Sequence, residues 1–359
     1  MRTVNRLALL ALCCASLAFV GGCGHKHHVV AKRAVQADPS VVGTVTVYTS
    51  LATGQADAYL EDFKAEYPNA KVDLVSAPAT TTVARIIAEK KKPVADVVWH
   101  TPMSALYGAK EASALAEYDY HPGQIDAVAP DWTDPDTPDK PVITGVDGRL
   151  IGFAVNAAKA GGSVPKTFSD LTDSKYAGQI VMPDINTEAG WITVASMMSS
   201  DDQDTWDYLD QLDKNVAYYT TDDTSSVNAV QSGSAAVAIG FDADIERAEN
   251  QGSGIQAVWP GLPEMSPYEV DADALVAKPN PSKVAEAFLE WAISDNAMQA
   301  YAKDTPITSV DEGAELPSDY PSSVSQQLFE NSDWGYMADN HASIVAQWMK
   351  RYGKKIRKG

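Results

Sequence analysis

Hydrophobic spacing along the chain switches repeatedly between strand-like alternation and helical periodicity, and each switch predicts an element. Residues 44–50 (TVTVYTS) alternate β-branched and hydroxyl side chains and predict a strand ending in Thr49 and Ser50. QADAYLEDFKAEYP gathers its apolar residues on one helical face and stops at Pro68, and KVDLVSA predicts a second strand. PATTT predicts a loop, VARIIAEKKK a helix ending before Pro93, and ADVVWH a third, buried strand. Strand, helix, strand, helix, strand in that order implies parallel pairing through right-handed crossovers, hence an open α/β sheet.

A Pro- and Asp-rich connection (APDWTDPDTPDKP) separates this unit from ITGVDGRLIGFAVN, where the DG pair suits a turn between two extended segments. The mixed pattern then repeats through TFSDLTDSKYAG, QIVMPD, WITVASMM, DTWDYLDQLDK, VAYYTTDDTSS, VNAVQSG and AAVAIGF, predicting a second lobe. IQAVWPGLPEMSPYEVDADALVAK predicts strands that return to the first lobe, and PSKVAEAFLEWAISDNAMQAYAK an amphipathic helix. Helical segments within DWGYMADNHASIVAQWMKRYGKKI close the chain, and no repeat of solenoid period is present.

The N-terminus changes the picture from a plain globular protein to an exported one. Arg2 and Arg6 precede an apolar run over 7–20, then Gly21, Gly22 and Cys23. This is the pattern of a secretory signal, and the run is too short to cross about 30 Å of hydrocarbon as a helix. VGGC resembles the bacterial lipobox, which implies cleavage before Cys23 and acylation of its thiol. Cys13 and Cys14 fall inside the removed segment, so no disulfide can form within the mature monomer. Stability must then come from a core, which 45% apolar composition permits. Residues 24–42 lack sustained periodicity and read as a tether; His25, His27 and His28 within it are more simply linker residues than metal ligands.

The formal net charge is −20, and losing Arg2 and Arg6 with the signal makes it more negative still. Such a field disfavours nucleic acid and anionic membrane surfaces without fixing the chemistry of a buried pocket. Motifs of catalysis are missing: no GxSxG elbow, HExxH, Walker A, GxGxxG after a strand, or CxxC. His121 and His341 stand singly, as does His100 beside Trp99. What recurs instead is hydroxyl clusters where strands end and helices begin: Thr49 and Ser50; Thr80, Thr81 and Thr82; Thr101; Thr224, Ser225 and Ser226. Helix N–H groups and hydroxyls at such places form an anion site, although Ser and Thr also simply cap helices.

The ordered set VTVYTS, ARIIAEKKKPVADVVWH, GRLIGFAVN, PKTFSDLTDSKYAGQIVMPD, SSVNAVQSGSAAVAIGF and PYEVDADALVAKPN resembles the extracellular solute-binding proteins of ABC importers, in their ferric-iron and 2-aminoethylphosphonate group. The resemblance implies a periplasmic-binding-protein type II fold: two α/β lobes, each a mixed, mainly parallel sheet flanked by helices, joined by a two-strand hinge. It places a signal at 1–22, a tether at 23–42, one lobe at 43–147 plus 268–312, the other at 148–267, and C-terminal helices at 313–359. It implies a lipid-anchored monomer on the extracytoplasmic face, importer permease subunits as partners, a small anionic or zwitterionic solute, and no cofactor or resident metal.

Ferric receptors of this group use an adjacent tyrosine pair after the strand that here reads AVAIGF, where this chain has Asp242, Ala243 and Asp244. Tyr218 and Tyr219 lie a segment earlier, and strand alternation points their rings to opposite faces, with Tyr219 expected toward the cleft and Tyr218 into the lobe. The terminal segment DWGYMADNHASIVAQWMKRY is similar to the Trp-, Asn- and Ile-spaced ending of aminoethylphosphonate receptors. An ammonium on such a ligand would need acidic or aromatic partners, for which Trp99, Trp191, Asp242, Tyr268 and Glu269 are candidates. His100 and Thr187 complete the expected ligand set. The resemblance implies capture of a small phosphonate or phosphate ester, 2-aminoethylphosphonate foremost; a ferric-iron receptor, a polyamine or thiamine receptor, and an extracytoplasmic enzyme on the same scaffold are the alternatives.

Overall fold

The alternating segment after Val42 forms β1 (Gly43–Thr49), followed by α1 (Thr53–Glu66), β2 (Ala70–Ser76), α2 (Ala79–Glu89), β3 (Val97–Pro102), α3 (Met103–Glu111), β4 (Leu115–Ala116) and α4 (Pro122–Ile125). β1 pairs parallel with both β2 and β3, as the crossover order requires. The structure is a computed structural model describing residues 36–125, 128, 132–134, 136–137, 140–200, 202–252, 254–260, 266–301, 307–308 and 333–357. The signal, Cys23 and the three tether histidines lie outside the described residues, as does part of the Pro/Asp-rich connection.

Three local expectations change. α2 starts at Ala79, so Thr80, Thr81 and Thr82 form its first turn instead of a loop. Pro78 makes this possible: it has no N–H to satisfy, and its carbonyl accepts from Thr82 N at 2.9 Å. α3 occupies a stretch for which the pattern gave no element. The Asp147-Gly148 pair makes no turn; it lies inside β5 (Thr144–Asn156), a single continuous strand. Glycine is needed at 148 for close packing, since a Cβ there would come within 3.0 Å of the Trp132 ring.

The second lobe carries β6 (Ile180–Pro183), α5 (Glu188–Ser200), α6 (Asp202–Asn215), β7 (Val216–Thr220), α7 (Ser225–Gln231), β8 (Val237–Phe241), α8 (Asp242–Asn250) and β9 (Ile255–Val258). β6 pairs parallel with β7 and β8, while β8 and β9 pair antiparallel with the latter part of β5. The chain returns through β10 (Tyr268–Val276), which pairs antiparallel with β3 and with the first part of β5. β5 therefore belongs to both sheets, and β5 and β10 together form the two-strand hinge.

The helix expected over 281–303 is two, α9 (Lys283–Ala292) and α10 (Asp295–Tyr301), because Ser294 restarts the chain by accepting Ala297 N on its hydroxyl at 3.3 Å. A short β11 (Ile307–Thr308) adds to β5, and α11 (Trp334–Tyr352) ends the fold against α3 and α5. The first lobe is packed around Trp99, fully buried among Tyr59, Phe288, Trp291 and Tyr301, with its indole N–H bonded to Tyr301 Oη at 3.1 Å. Burying each such side chain contributes roughly 1.5–3 kcal/mol. The second lobe has a smaller cluster around Val181, Val227, Val230 and Ile245.

Candidate ligand-binding site

A cavity of about 580 Å³ opens at the carboxyl ends of β1 and β3, where the two lobes face each other. Ser50, Thr80 and Ser104 line it from the first lobe, and Thr187, Glu188, Trp191, Asp222 and Asp223 from the second. Glu269 on hinge strand β10 lines it between them, and α11 contributes Ala338 and His341. The volume lies within the roughly 300–1,000 Å³ typical of small-molecule sites.

Helix starts converge here, but protein carboxylates already occupy most of them. Glu269 sits at the head of α3, its Oε2 accepting from Ser104 Oγ at 2.5 Å and its Oε1 from Val270 N at 3.0 Å. Asp223 Oδ1 accepts from Ala189 N at 2.9 Å in the first turn of α5. Asp222 holds Ser225 through N–H and hydroxyl contacts of 2.8 and 2.7 Å before α7. α2 differs: no side chain caps it, and Ala79 and Thr80 of its first turn line the cavity. Its leading N–H groups and positive dipole end thus meet the cavity without a protein anion.

Behind the cavity the hinge carries a buried ionic cluster. Arg149 on β5 contacts Glu188 and lies 2.8 Å from Asp271, with its guanidinium 4.8 Å from the centre of the Phe241 ring. His100 has a left-handed backbone (φ 52°), fixed by its N–H donating to Asp273 at 2.9 Å and its carbonyl accepting from Ser50 Oγ at 2.7 Å. Its ring Nε2 is 2.8 Å from Asp147. Burial works against charging this imidazole, but Asp147 first, then Asp271 and Asp273, outweigh it and push it up to about 9. Burial pushes Glu269 up to about 8, with Glu188 and Asp271 adding repulsion that the Ser104 bond only partly offsets. Desolvation likewise lifts Asp273 to about 7 and Glu188 to about 7. His100, Asp147 and Asp271 bring ligand-type atoms within 4.8 Å of one another, the spacing of a metal cluster. Arg149 and the imidazole already serve those carboxylates, so an ion-pair network accounts for the arrangement.

Of the residues expected from sequence, Ser50, Thr80, Thr187, Trp191 and Glu269 come together on the cavity. The others lie elsewhere. Thr49, Thr82 and Thr101 are buried, their hydroxyls bonded to nearby backbone. Thr81 is exposed on α2, one residue off the lining face. Trp99 is core and His100 belongs to the hinge cluster. Thr224 and Ser225 bind Asp222, and Ser226 donates to the Ile239 carbonyl at 2.9 Å. Asp242 is fully buried at the start of α8, and Tyr268 packs under Trp334 with ring centres 5.6 Å apart. Tyr219 does not face the cleft as expected: it is buried, its hydroxyl on Asp213 at 2.9 Å and its ring on Trp348 at 4.7 Å. Tyr218 is half-buried beneath Arg357, and neither ring lines the cavity.

Sequence reasoning passed over Glu188, Asp222, Asp223, Ser104 and His341. The acids stand within NTEAGW and TTDDTSS, in the same strand-to-helix loops as the hydroxyls. Acidic residues just before or in a first helical turn were the available signal. Gly190 in the first turn of α5 is forced by packing, since a Cβ there would meet the Asp184 carbonyl oxygen at 1.9 Å.

Comparison with known proteins places this geometry. An uncharacterized protein of Haemophilus influenzae is 24% identical over 272 residues, covering 74% of this chain and 77% of its own. The structure of the periplasmic binding protein AfuA from Actinobacillus pleuropneumoniae, with fructose-6-phosphate bound, superposes with a TM-score of 0.70 at 23% identity, covering 87% of this chain and 99% of AfuA. Iron-bound HitA from Pseudomonas aeruginosa gives 0.71 at 16% identity, covering 85% and 98%. At these identities the likeness establishes the type II two-lobe fold. The family of bacterial extracellular solute-binding proteins matches residues 58–327, and the chain belongs to that family.

Proposed function

We propose that the protein captures a small phosphonate or phosphate ester, with 2-aminoethylphosphonate as the best fit, and delivers it to the permease of an ABC importer. The observation that carries this reading is the bipolar cavity. The uncapped start of α2 with Thr80 lies on one wall, and the carboxyl groups of Glu188, Asp223 and Glu269 lie on others. Converging N–H and O–H donors suit the three oxygens of a tetrahedral oxyanion, and carboxyl groups suit an ammonium or hydroxyls on the same ligand. Closure about β5 and β10 would bury the solute between donors from both lobes. The sugar phosphate in AfuA is in keeping with this class. The iron in HitA is less so, since no tyrosine is among the described lining residues.

In this account the chain is a binding module and not an enzyme. Acylation of Cys23 would hold it to the membrane, which raises its local concentration at the importer. One observation favours a second reading, a cationic solute such as a polyamine or thiamine. Four carboxyl groups line the cavity, with no lysine or arginine among the described lining residues.

A thermal-shift panel separates these readings: 2-aminoethylphosphonate, hexose phosphates, inorganic phosphate, Fe(III) and polyamines. A ligand at 100 times its dissociation constant adds about 2.7 kcal/mol of stability. The expected result is a shift with an organophosphorus compound and none with polyamines or iron; the reverse pattern rejects the proposal.

A further inference from the structure

We infer that the C-terminal helix α11 supplies a third wall of the ligand site, with the imidazole of His341 hydrogen-bonding the captured solute. The inference rests on the reading of the cavity as a solute site.

Both lobes hold α11. At its start, Asp333 accepts from Tyr336 N at 2.8 Å and Trp334 packs on hinge residue Tyr268. At its end, Trp348 packs on Tyr219 of the second lobe, and Tyr352 Oη and Arg351 reach Asp210 at 2.6 and 3.0 Å. Arg357 N then donates to the Tyr219 carbonyl at 2.9 Å. The middle of the helix is thereby fixed across the cleft, and its residues Ala338 and His341 line the cavity.

His341 is placed there as a recognition group would be. Its ring lies 4.4 Å from that of Trp191, a cavity residue only 8% exposed, which fixes the plane of the imidazole. Neither ring nitrogen has a hydrogen-bond partner among the described residues, in contrast to the carboxyl groups of Glu188, Asp222, Asp223 and Glu269. Burial holds its pKa below the ordinary histidine value, so near neutral pH the ring is uncharged and offers one N–H and one lone pair. Such a ring can donate to a phosphoryl oxygen or to a ligand hydroxyl. It is also the basic side chain among the described lining residues, whose other ionisable groups are acids.

The test titrates the full-length protein calorimetrically with 2-aminoethylphosphonate, glucose 6-phosphate and spermidine. It compares the wild type with His341→Ala, His341→Gln and the exposed control Lys350→Ala. The expected result is a loss of about tenfold in affinity for His341→Ala. His341→Gln, which keeps an N–H donor, should recover part of it. Lys350→Ala should leave affinity unchanged, and all variants should unfold near the wild-type midpoint. Wild-type affinity in His341→Ala overturns the inference while leaving the solute site standing. Failure of the wild type to bind any of the three overturns the reading beneath it, and the inference with it.

Discussion

Arg149 on the hinge strand β5 contacts Glu188 at the head of α5, and the same guanidinium lies 2.8 Å from Asp271 on β10. A carboxyl group that faces the cavity is therefore tied to the two strands β5 and β10. Arg149→Met would leave both acids without their cation. The expected loss of stability in a denaturant titration is somewhat under the roughly 3–5 kcal/mol of a fully buried broken pair, because Arg149 keeps some exposure. Arg149→Lys should recover only part, since an ammonium cannot present the planar fork that serves two carboxylates.

The hinge cluster also sets a pH dependence. Glu269 is pushed up to about 8 from 4.5, Asp273 to about 7 from 3.8, Glu188 to about 7 from 4.5, and His100 to about 9 from 6.5. In each case the folded protein holds a proton that the unfolded chain releases. The contribution is full below the ordinary value and is lost as pH rises through the folded one. The contribution of these groups to the thermal midpoint is expected to fall from about pH 4 to about pH 9, and Glu269→Gln should flatten the part of that fall below about pH 8. A midpoint that climbs across this range contradicts the assignment.

Adjacent threonines of α2 should behave differently in ligand titrations. Thr80 lines the cavity and Thr81 does not. Thr80→Ala is expected to cost about 1.5–3 kcal/mol of binding, roughly tenfold or more in affinity, with Thr80→Ser close to wild type. Thr81→Ala should bind as the wild type does.

Tyr219 should matter to stability and not to capture. Its hydroxyl holds Asp213 at 2.9 Å beneath α11. Tyr219→Phe is expected to lower unfolding free energy by about 0.5–1.5 kcal/mol, with solute affinity unchanged. A loss of affinity without a loss of stability would return this tyrosine to the site.

Period and punctuation made most of the fold legible. The parallel trio β1, β2 and β3 followed from alternating residues separated by helices, and the return strand β10 from the extended segment YEVDADALV, whose acids alternate with apolar residues. The Asp147-Gly148 pair misled because a local turn signal was overridden by tertiary packing: Gly148 admits the Trp132 ring, and Asp147 faces His100. The threonines in the first turn of α2 suit loop or helix alike, and Pro78 decides between them only through its carbonyl bond to Thr82 N.

The site was half legible. Hydroxyls at Ser50, Thr80 and Thr187 stand where strand ends and helix starts predict them, whereas Thr49, Thr82, Thr101 and Ser226 point to backbone instead. One residue along a strand or helix turns a side chain from cavity to core, and that step is not written in a cluster of like residues. Glu188, Asp223 and His341 come from separate segments that only the folded chain brings together. His341 in particular arrives on a helix far along the sequence from either hydroxyl loop.

The most direct test of the central claim is calorimetric titration of the purified protein with 2-aminoethylphosphonate and glucose 6-phosphate, with spermidine and Fe(III) as comparators. The account expects saturable one-to-one binding of an organophosphorus compound, weakened by Thr80→Ala. Saturable binding of spermidine or iron, with no heat from either phosphorus compound, would contradict it.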